Sequence, residues 1–351
     1  MKRLSILAAA TALAVSVGVM GVTAASAADK ITLQASSKSG DWAMQFYSKW
    51  VDKWNTMVGP DGTQMEVLPT QAVVPHRETI DAVSNGILSG DLNAVSYFTG
   101  RDQAFSILGD LIAGYDTVDQ MQAFCMIGGG KEVLQKVYDK YTNGQIKVIG
   151  CGPYAREAFV STKPINSVAD MQGLKVRSPE GMASEVFKRA GASPVALPFS
   201  EVYTSLEKGL VEAADASAHV NNEASGMYKV AKYPIYPGIH SMAVLQFVLN
   251  KDAYDAMPDT EKAMLEVWYT AMNAQMMREA DMGDKEVAAK QKAGGDVTVI
   301  DWPQEERDKF REIAVSAWKD TAAKSDLARE ALDAHLAFMK KIGLLDEDFD
   351  G

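Results

Sequence analysis

The sequence predicts an α/β protein of two lobes joined by one long helix, and three observations carry the prediction. Strand-like and helix-like stretches alternate between residues 31 and 97, as in a parallel sheet covered by helices. The alternation starts again with new elements between residues 145 and 216. A run of about 36 residues from 258 to 293 is rich in Ala, Met, Glu and Lys and broken by glycine only at Gly283; as a helix it would be roughly 54 Å long, more than one lobe of this size spans.

Taken in order, 31–35 reads as a strand and 41–57 as a helix, because Met44, Phe46, Tyr47, Trp50, Val51 and Trp54 fall at helical spacing. Gly59, Pro60, Asp61 and Gly62 make a turn. A second strand covers 64–68, a helix opened by Pro75 covers 77–85, and a third strand covers 92–97. Gly128 to Gly130 closes a helical stretch as a C-cap or turn, not as a phosphate loop. In the second half, 145–150 and 159–161 are strands, 168–171 a short helical turn, and 174–177 a strand stopped by Ser178 and Pro179. A helix follows over 181–190, a strand over 194–197, a helix over 200–208 capped by Ser200, and a strand over 213–216. A last strand covers 297–300, and 303–342 reads as helices. Met257, Met264, Met272, Met276, Met277 and Met282 lie mostly at helical spacing, which makes them core filler.

With 47% apolar and 23% charged residues, the 351-residue chain has a globular balance and not a disordered one. Residues 1–27 read as a secretory signal peptide: Lys2 and Arg3 lead an apolar stretch, and Ala25, Ser26 and Ala27 supply the small residues of a cleavage site. Removing those 27 of 351 leaves 324 residues, more than one core usually supports, and takes the formal net charge from −11 to −13. So acidic a chain argues against nucleic acid as the partner. No later stretch reaches the roughly 18 uninterrupted apolar residues of a spanning helix, and no cysteine follows the cleavage point to carry a lipid. An exported, released protein is expected. Cys125 and Cys151 fit no metal-ligand spacing and are either buried apolar thiols or a disulfide.

Enzymatic motifs are missing. The chain has no phosphate-cradling Gly-x4-Gly-Lys-Ser/Thr, no Gly-x-Ser-x-Gly elbow and no His-Glu-x-x-His, and His76, His219, His240 and His335 are scattered. What is present is a polar and aromatic set at strand ends, where an α/β lobe places its ligand groups. Ser36, Ser37, Ser39 and Trp42 follow the first strand, Gln71 and Val74 the second, and Ser96, Tyr97 and Phe98 end the third. In the second lobe Glu157 precedes a strand, Arg177 ends one, and Asp215 and Ser217 end another; Trp42, Tyr97, Phe98 and Tyr154 supply aromatic lining. The planar guanidinium of Arg177 can give two parallel hydrogen bonds to a carboxylate and keeps its charge in a desolvated cleft. The competing reading is a structural Arg177 paired with Asp215 or Glu157.

The stretches Lys163-Pro-Ile165, Asp170-Met-Gln-Gly-Leu-Lys-Val-Arg177, Gly191-Ala-Ser-Pro194, Pro198-Phe-Ser-Glu-Val-Tyr203 and Leu206-Glu-Lys-Gly-Leu-Val-Glu-Ala213 are ordered along the chain. Together they resemble the solute-binding protein of a tripartite ATP-independent periplasmic (TRAP) transporter. Tyr228-Lys-Val-Ala-Lys-Tyr233 with Tyr236-Pro-Gly238 resembles the branch of that family that binds 2-oxo acids and hydroxy acids. The resemblance implies a two-lobed periplasmic binding protein fold closing about a hinge, with residues 28–154 plus 243–282 as one lobe and 155–242 plus 283–351 as the other. It implies a periplasmic protein, not an enzyme, that passes a small organic anion to the permease subunits of the transporter, and that Arg177 grips the ligand carboxylate. The expected ligand-binding set is Arg177, Glu157, Asp215, Tyr97, Phe98, Trp42, Ser96, Tyr154 and Ser217. Departures matter as well. Where sialic-acid-binding relatives carry a second arginine and an asparagine, this chain has Glu157 and Ala216, which argues against that ligand. In the 2-oxo acid branch a cation sits near these positions, so Na⁺ or Ca²⁺ held by Glu157 and Asp215 is expected with the ligand. Two other functions use the same cleft: a secreted enzyme, or a sensor that presents its closed form to a receptor.

Overall fold

Residues 30–239 and 241–349 are described by the computed structural model; the expected signal peptide and His240 lie outside them. Strands β1 (Lys30–Ala35), β2 (Gln64–Leu68), β3 (Gly90–Ala94) and β4 (Ile146–Pro153) belong to one sheet. Strands β5 (Phe159–Ser161), β6 (Lys175–Ser178), β7 (Ser193–Ala196) and β8 (Ala213–Asp215) form a second, in the order β5-β8-β6-β7. β9 (Val244–Asn250) then returns to the first sheet, whose order is β2-β1-β3-β9-β4. The helices of the first half are α1 (Trp42–Val58), α2 (Thr79–Ser84), α3 (Ala104–Gly109), α4 (Val118–Ile127) and α5 (Gly130–Thr142). α6 (Met182–Arg189), α7 (Val202–Glu207) and α8 (His219–Ala224) flank the second sheet, and α9 (Lys251–Ala256), α10 (Asp259–Lys292), α11 (Gln304–Ala322) and α12 (Asp326–Lys341) complete the chain.

The chain thus forms two α/β lobes, and the 34-residue α10, about 51 Å long, runs along both. Its first half lies on α1 and β4. Trp268 donates its indole N–H to the Trp50 carbonyl and meets the Trp50 and Trp54 rings edge-on. β4 accepts this helix because Gly150 has no side chain: a Cβ there would come within 2.2 Å of the Tyr269 ring. The second half of α10 packs on α8, where a Cβ on Gly283 would meet Val220 at 2.8 Å. Asp284 fixes the pairing by accepting from the Val220 N–H at 2.7 Å.

Several expectations need correction. The first sheet is mixed, because β9 runs antiparallel between β3 and β4. The third strand stops at Ala94, and Val95–Phe98 forms a 3-10 turn in place of the strand end expected there. Residues 297–300 make no strand. Ile300 only bridges Ile235, beside Pro234, which has no N–H to extend a ladder. Ser200 does not cap α7; it lies inside the 3-10 turn Phe199–Glu201. Met282 is exposed, unlike the buried Met257, Met272, Met276 and Met277. Cys125 and Cys151 are free and buried, the apolar-thiol reading. Gly128 closes α4 as expected, its N–H bonded to the Phe124 carbonyl. Among the described residues no helix is long and apolar enough to cross a membrane.

Candidate functional site

The chain crosses between the two sheets after β4 and returns before β9, and the crossings are tied together: the Glu157 N–H donates to the Ser241 carbonyl at 2.9 Å. Beside them lies a cavity of about 60 Å³. Strand ends from both sheets reach its wall, with Ser36 and Ser37 after β1, Ser96 and Tyr97 after β3, Arg177 from β6 and Ser217 after β8. Tyr154 and Glu157 come from the first crossing, Tyr47 from α1, Asn221 from α8 and Met276 from α10. Three contacts also join the halves: the Tyr97 hydroxyl accepts from the Phe199 N–H at 3.1 Å, Ser106 accepts from the Met182 N–H, and Arg77 pairs with Glu180.

Arg177 is 3% exposed. Its Nε–H donates to the Leu197 carbonyl at 2.8 Å and one Nη1–H to the Asp215 carbonyl at 2.6 Å. A guanidinium has five N–H donors, so three are left on the cavity side of the group. Arg177 forms no ion pair among the described residues, and the expected alternative of a structural pairing with Glu157 or Asp215 is not what holds it. Two backbone carbonyls fix the plane, and the charge acts on Glu157 and Asp215 without touching either carboxylate.

Opposite charge lies close by but is occupied with other partners. The Glu157 carboxylate accepts from the Tyr154 hydroxyl and from Ser241 Oγ at 3.2 Å. Ser241 Oγ also lies 3.2 Å from Asp215 Oδ2 and 2.6 Å from Asp110 Oδ2. One hydroxyl proton serves one acceptor at a time, so the three buried carboxylates compete for it, and Asp110 has a second donor in the Met242 N–H at 3.2 Å. Asp215 Oδ1 has no partner. Burial raises the Glu157 carboxyl, against the pull of Tyr154, Arg177 and Ser241. Burial also pushes Asp110 up to about 7 and Asp215 well above the carboxylate range, with the neighbouring acids adding to the rise. His76, edge-on to Tyr97 at 4.7 Å, is driven down to about 4 by burial and by the charges of Arg77 and Arg177, so its imidazole is neutral.

Of the nine residues expected to bind ligand, Ser96, Tyr97, Tyr154, Glu157, Arg177 and Ser217 line this cavity. Asp215 is fully buried behind Arg177 and off the wall. Phe98 is a correction: the 3-10 turn that brings Tyr97 to the cavity sends its neighbour into the core, edge-on to Phe105. Trp42 is another, since its ring stacks on Phe46 at 5.7 Å and it is not on the wall. Tyr47, Asn221, Asp110 and Ser241 were not foreseen. Only Asp110 carries a local signal, as the single acid in the apolar run from Ile107 to Ile112.

Residues 35–325 match the bacterial extracellular solute-binding proteins, family 7, known as DctP. The chain belongs to this family. A TRAP periplasmic solute-binding protein of Rhodobacter sphaeroides, solved in an open ligand-free form, is 36% identical, with 91% of this chain and all of that one covered and a TM-score of 0.73. A monocarboxylate 2-oxoacid-binding periplasmic protein of Nostoc is 24% identical over 324 residues, 89% of this chain and 87% of the relative. The fold also matches a TRAP solute-binding protein of Pseudoalteromonas atlantica, solved with sodium and pyruvate, at 23% identity and TM-score 0.77 over 90% of this chain and 95% of that one. The chain is thus a TRAP-type solute-binding protein, and the resemblance read from the sequence holds.

Proposed function

We propose that this protein works in the periplasm, holds a 2-oxo or 2-hydroxy monocarboxylate on Arg177, and hands it unchanged to the permease subunits of a TRAP transporter. The observation that carries the reading is a rigidly held guanidinium without an ion-pair partner on the wall of a small cavity reached by both sheets. A cavity of about 60 Å³ suits a small acid. The Nostoc relative named for 2-oxo acids supports this ligand class. The lobes expected from the sequence would hinge where Glu157 and Ser241 meet, and the ligand would favour closure because both lobes contribute wall residues.

A cation fits beside the ligand. Three buried carboxylates face one cation, Arg177, and the unpaired Asp215 Oδ1 is an acceptor without a donor. Among the described residues no complete metal-binding group of three side chains is present, so Na⁺ or Ca²⁺ would be held by Glu157 on the wall together with the ligand's own oxygens, with Asp215 behind it adding negative charge. Such an ion would offset the repulsion between the ligand carboxylate and these acids. A thermal-shift screen over small carboxylic acids tests the function. A ligand at 100 times its Kd should stabilise by about 2.7 kcal/mol, and a screen in which no small acid raises Tm would overturn the reading.

A further inference from the structure

Two polar groups on the cavity wall are left unsatisfied by the protein. Tyr47 and Asn221 are 1% and 3% exposed, and the Tyr47 hydroxyl and Asn221 Oδ1 are buried without a hydrogen-bond partner. Neither side chain is loosely placed. Asn221 donates its Nδ2–H to Ser217 Oγ at 2.9 Å, and its neighbour Val220 is bonded to Asp284 of α10. Tyr47 sits among the buried apolar residues of α1. A buried carbonyl without a donor is destabilising, and so is a buried hydroxyl without an acceptor, which makes a polar ligand the natural complement of both.

We infer that Asn221 is a specificity-determining residue, and that with Tyr47 it recognises a hydroxyl on the ligand, selecting 2-hydroxy acids over 2-oxo acids. The inference rests on the reading that Arg177 holds a carboxylate in the same cavity. A hydroxyl both donates and accepts, so it can give its proton to Asn221 Oδ1 while its oxygen takes the proton of Tyr47. An oxo group can only accept. It would satisfy Tyr47 and leave the Asn221 carbonyl facing a second carbonyl oxygen. An ammonium would satisfy Asn221 and leave the Tyr47 proton unused. Sites that bind a ligand hydroxyl through buried polar groups discriminate strongly against analogues lacking it, because the protein groups are then stranded.

The test is calorimetric titration of the full mature chain with D-lactate, L-lactate, pyruvate and L-alanine. One lactate enantiomer should bind at least about tenfold more tightly than pyruvate or alanine. Asn221→Leu should weaken lactate by about tenfold or more while changing pyruvate by less than about threefold; Tyr47→Phe removes a donor that a hydroxyl and an oxo group both use, so it should weaken lactate and pyruvate alike and narrow the lead of lactate over alanine. Tyr47→Phe removes a hydroxyl that bonds to nothing in the protein, so it keeps the test intact if Asn221→Leu fails to fold. Wild-type preference for pyruvate or alanine, a lactate-to-pyruvate ratio unmoved by Asn221→Leu, or a lactate-to-alanine ratio unmoved by Tyr47→Phe overturns the assignment and leaves carboxylate capture standing. Folded wild-type protein that binds none of the acids overturns the carboxylate reading, and this inference with it.

Discussion

Replacing Arg177 with lysine keeps the charge at the cavity wall and removes the planar fork. The guanidinium now serves two buried carbonyls, Leu197 and Asp215, and still has three donors for a ligand. A lysine ammonium has three donors in all, directed from one atom, so it cannot satisfy both carbonyls and a carboxylate in parallel. The ligand loses the difference between a bidentate charge-assisted pair and a single contact, about 1.5–3 kcal/mol, which is roughly a ten- to 150-fold rise in Kd. Leaving one buried carbonyl short should also lower Tm, by about 2–4 °C for each kcal/mol lost in a domain of ordinary size. Isothermal titration with lactate and pyruvate measures the first effect and calorimetric melting the second. An affinity within about twofold of wild type would refute the argument, because it would mean that the fork is not what holds the ligand.

Three further outcomes follow from the carboxylate cluster and the hinge. Asp110, raised to about 7, keeps in the folded state a proton that the unfolded chain releases near pH 4, so its contribution favours folding at low pH and is lost as pH rises toward 7. Asp110→Asn should therefore flatten the fall in stability between pH 5 and 7 by about 1.4 kcal/mol per pH unit, read by urea unfolding without ligand; an unchanged slope counts against the buried acid. Exchanging Na⁺ for a bulky organic cation in the presence of a chelator should weaken carboxylate binding by about tenfold, and Asp215→Asn should blunt that sensitivity; indifference to both removes the ion from the site. Saturating ligand should reduce the radius of gyration in small-angle scattering, as the Arg77–Glu180 and Tyr97–Phe199 contacts form, and an unchanged radius would remove the hinge.

Local signals made the parallel units readable. Turn residues and helical spacing placed β1, α1 and β2, and the glycine-poor run placed α10. β9 was not legible in the same way, because its position depends on pairing with residues far along the chain, such as Asp91 with Val248. Its sequence is apolar but for Gln246 and the final Asn250, with no alternation, which by itself does not choose between a central strand and a buried helix. In the site, Arg177 stood out because an arginine at a strand end has few structural uses. Tyr47 was hidden by its own helix, since it falls at the spacing of core residues and only its missing partner sets it apart. Tyr97 and Phe98 are adjacent aromatics on one turn, and which of them faces the cavity depends on backbone dihedrals that no local pattern encodes.

The central claim is that the Arg177 cavity captures a small organic acid through its carboxylate. Titrating the wild-type protein with lactate and with its neutral amide, lactamide, tests this most directly, because the two differ only in the group that Arg177 would hold. The account predicts one-to-one binding of the acid and an amide weaker by at least about 100-fold, since a neutral amide cannot accept a charge-assisted pair. Equal binding of acid and amide would contradict it.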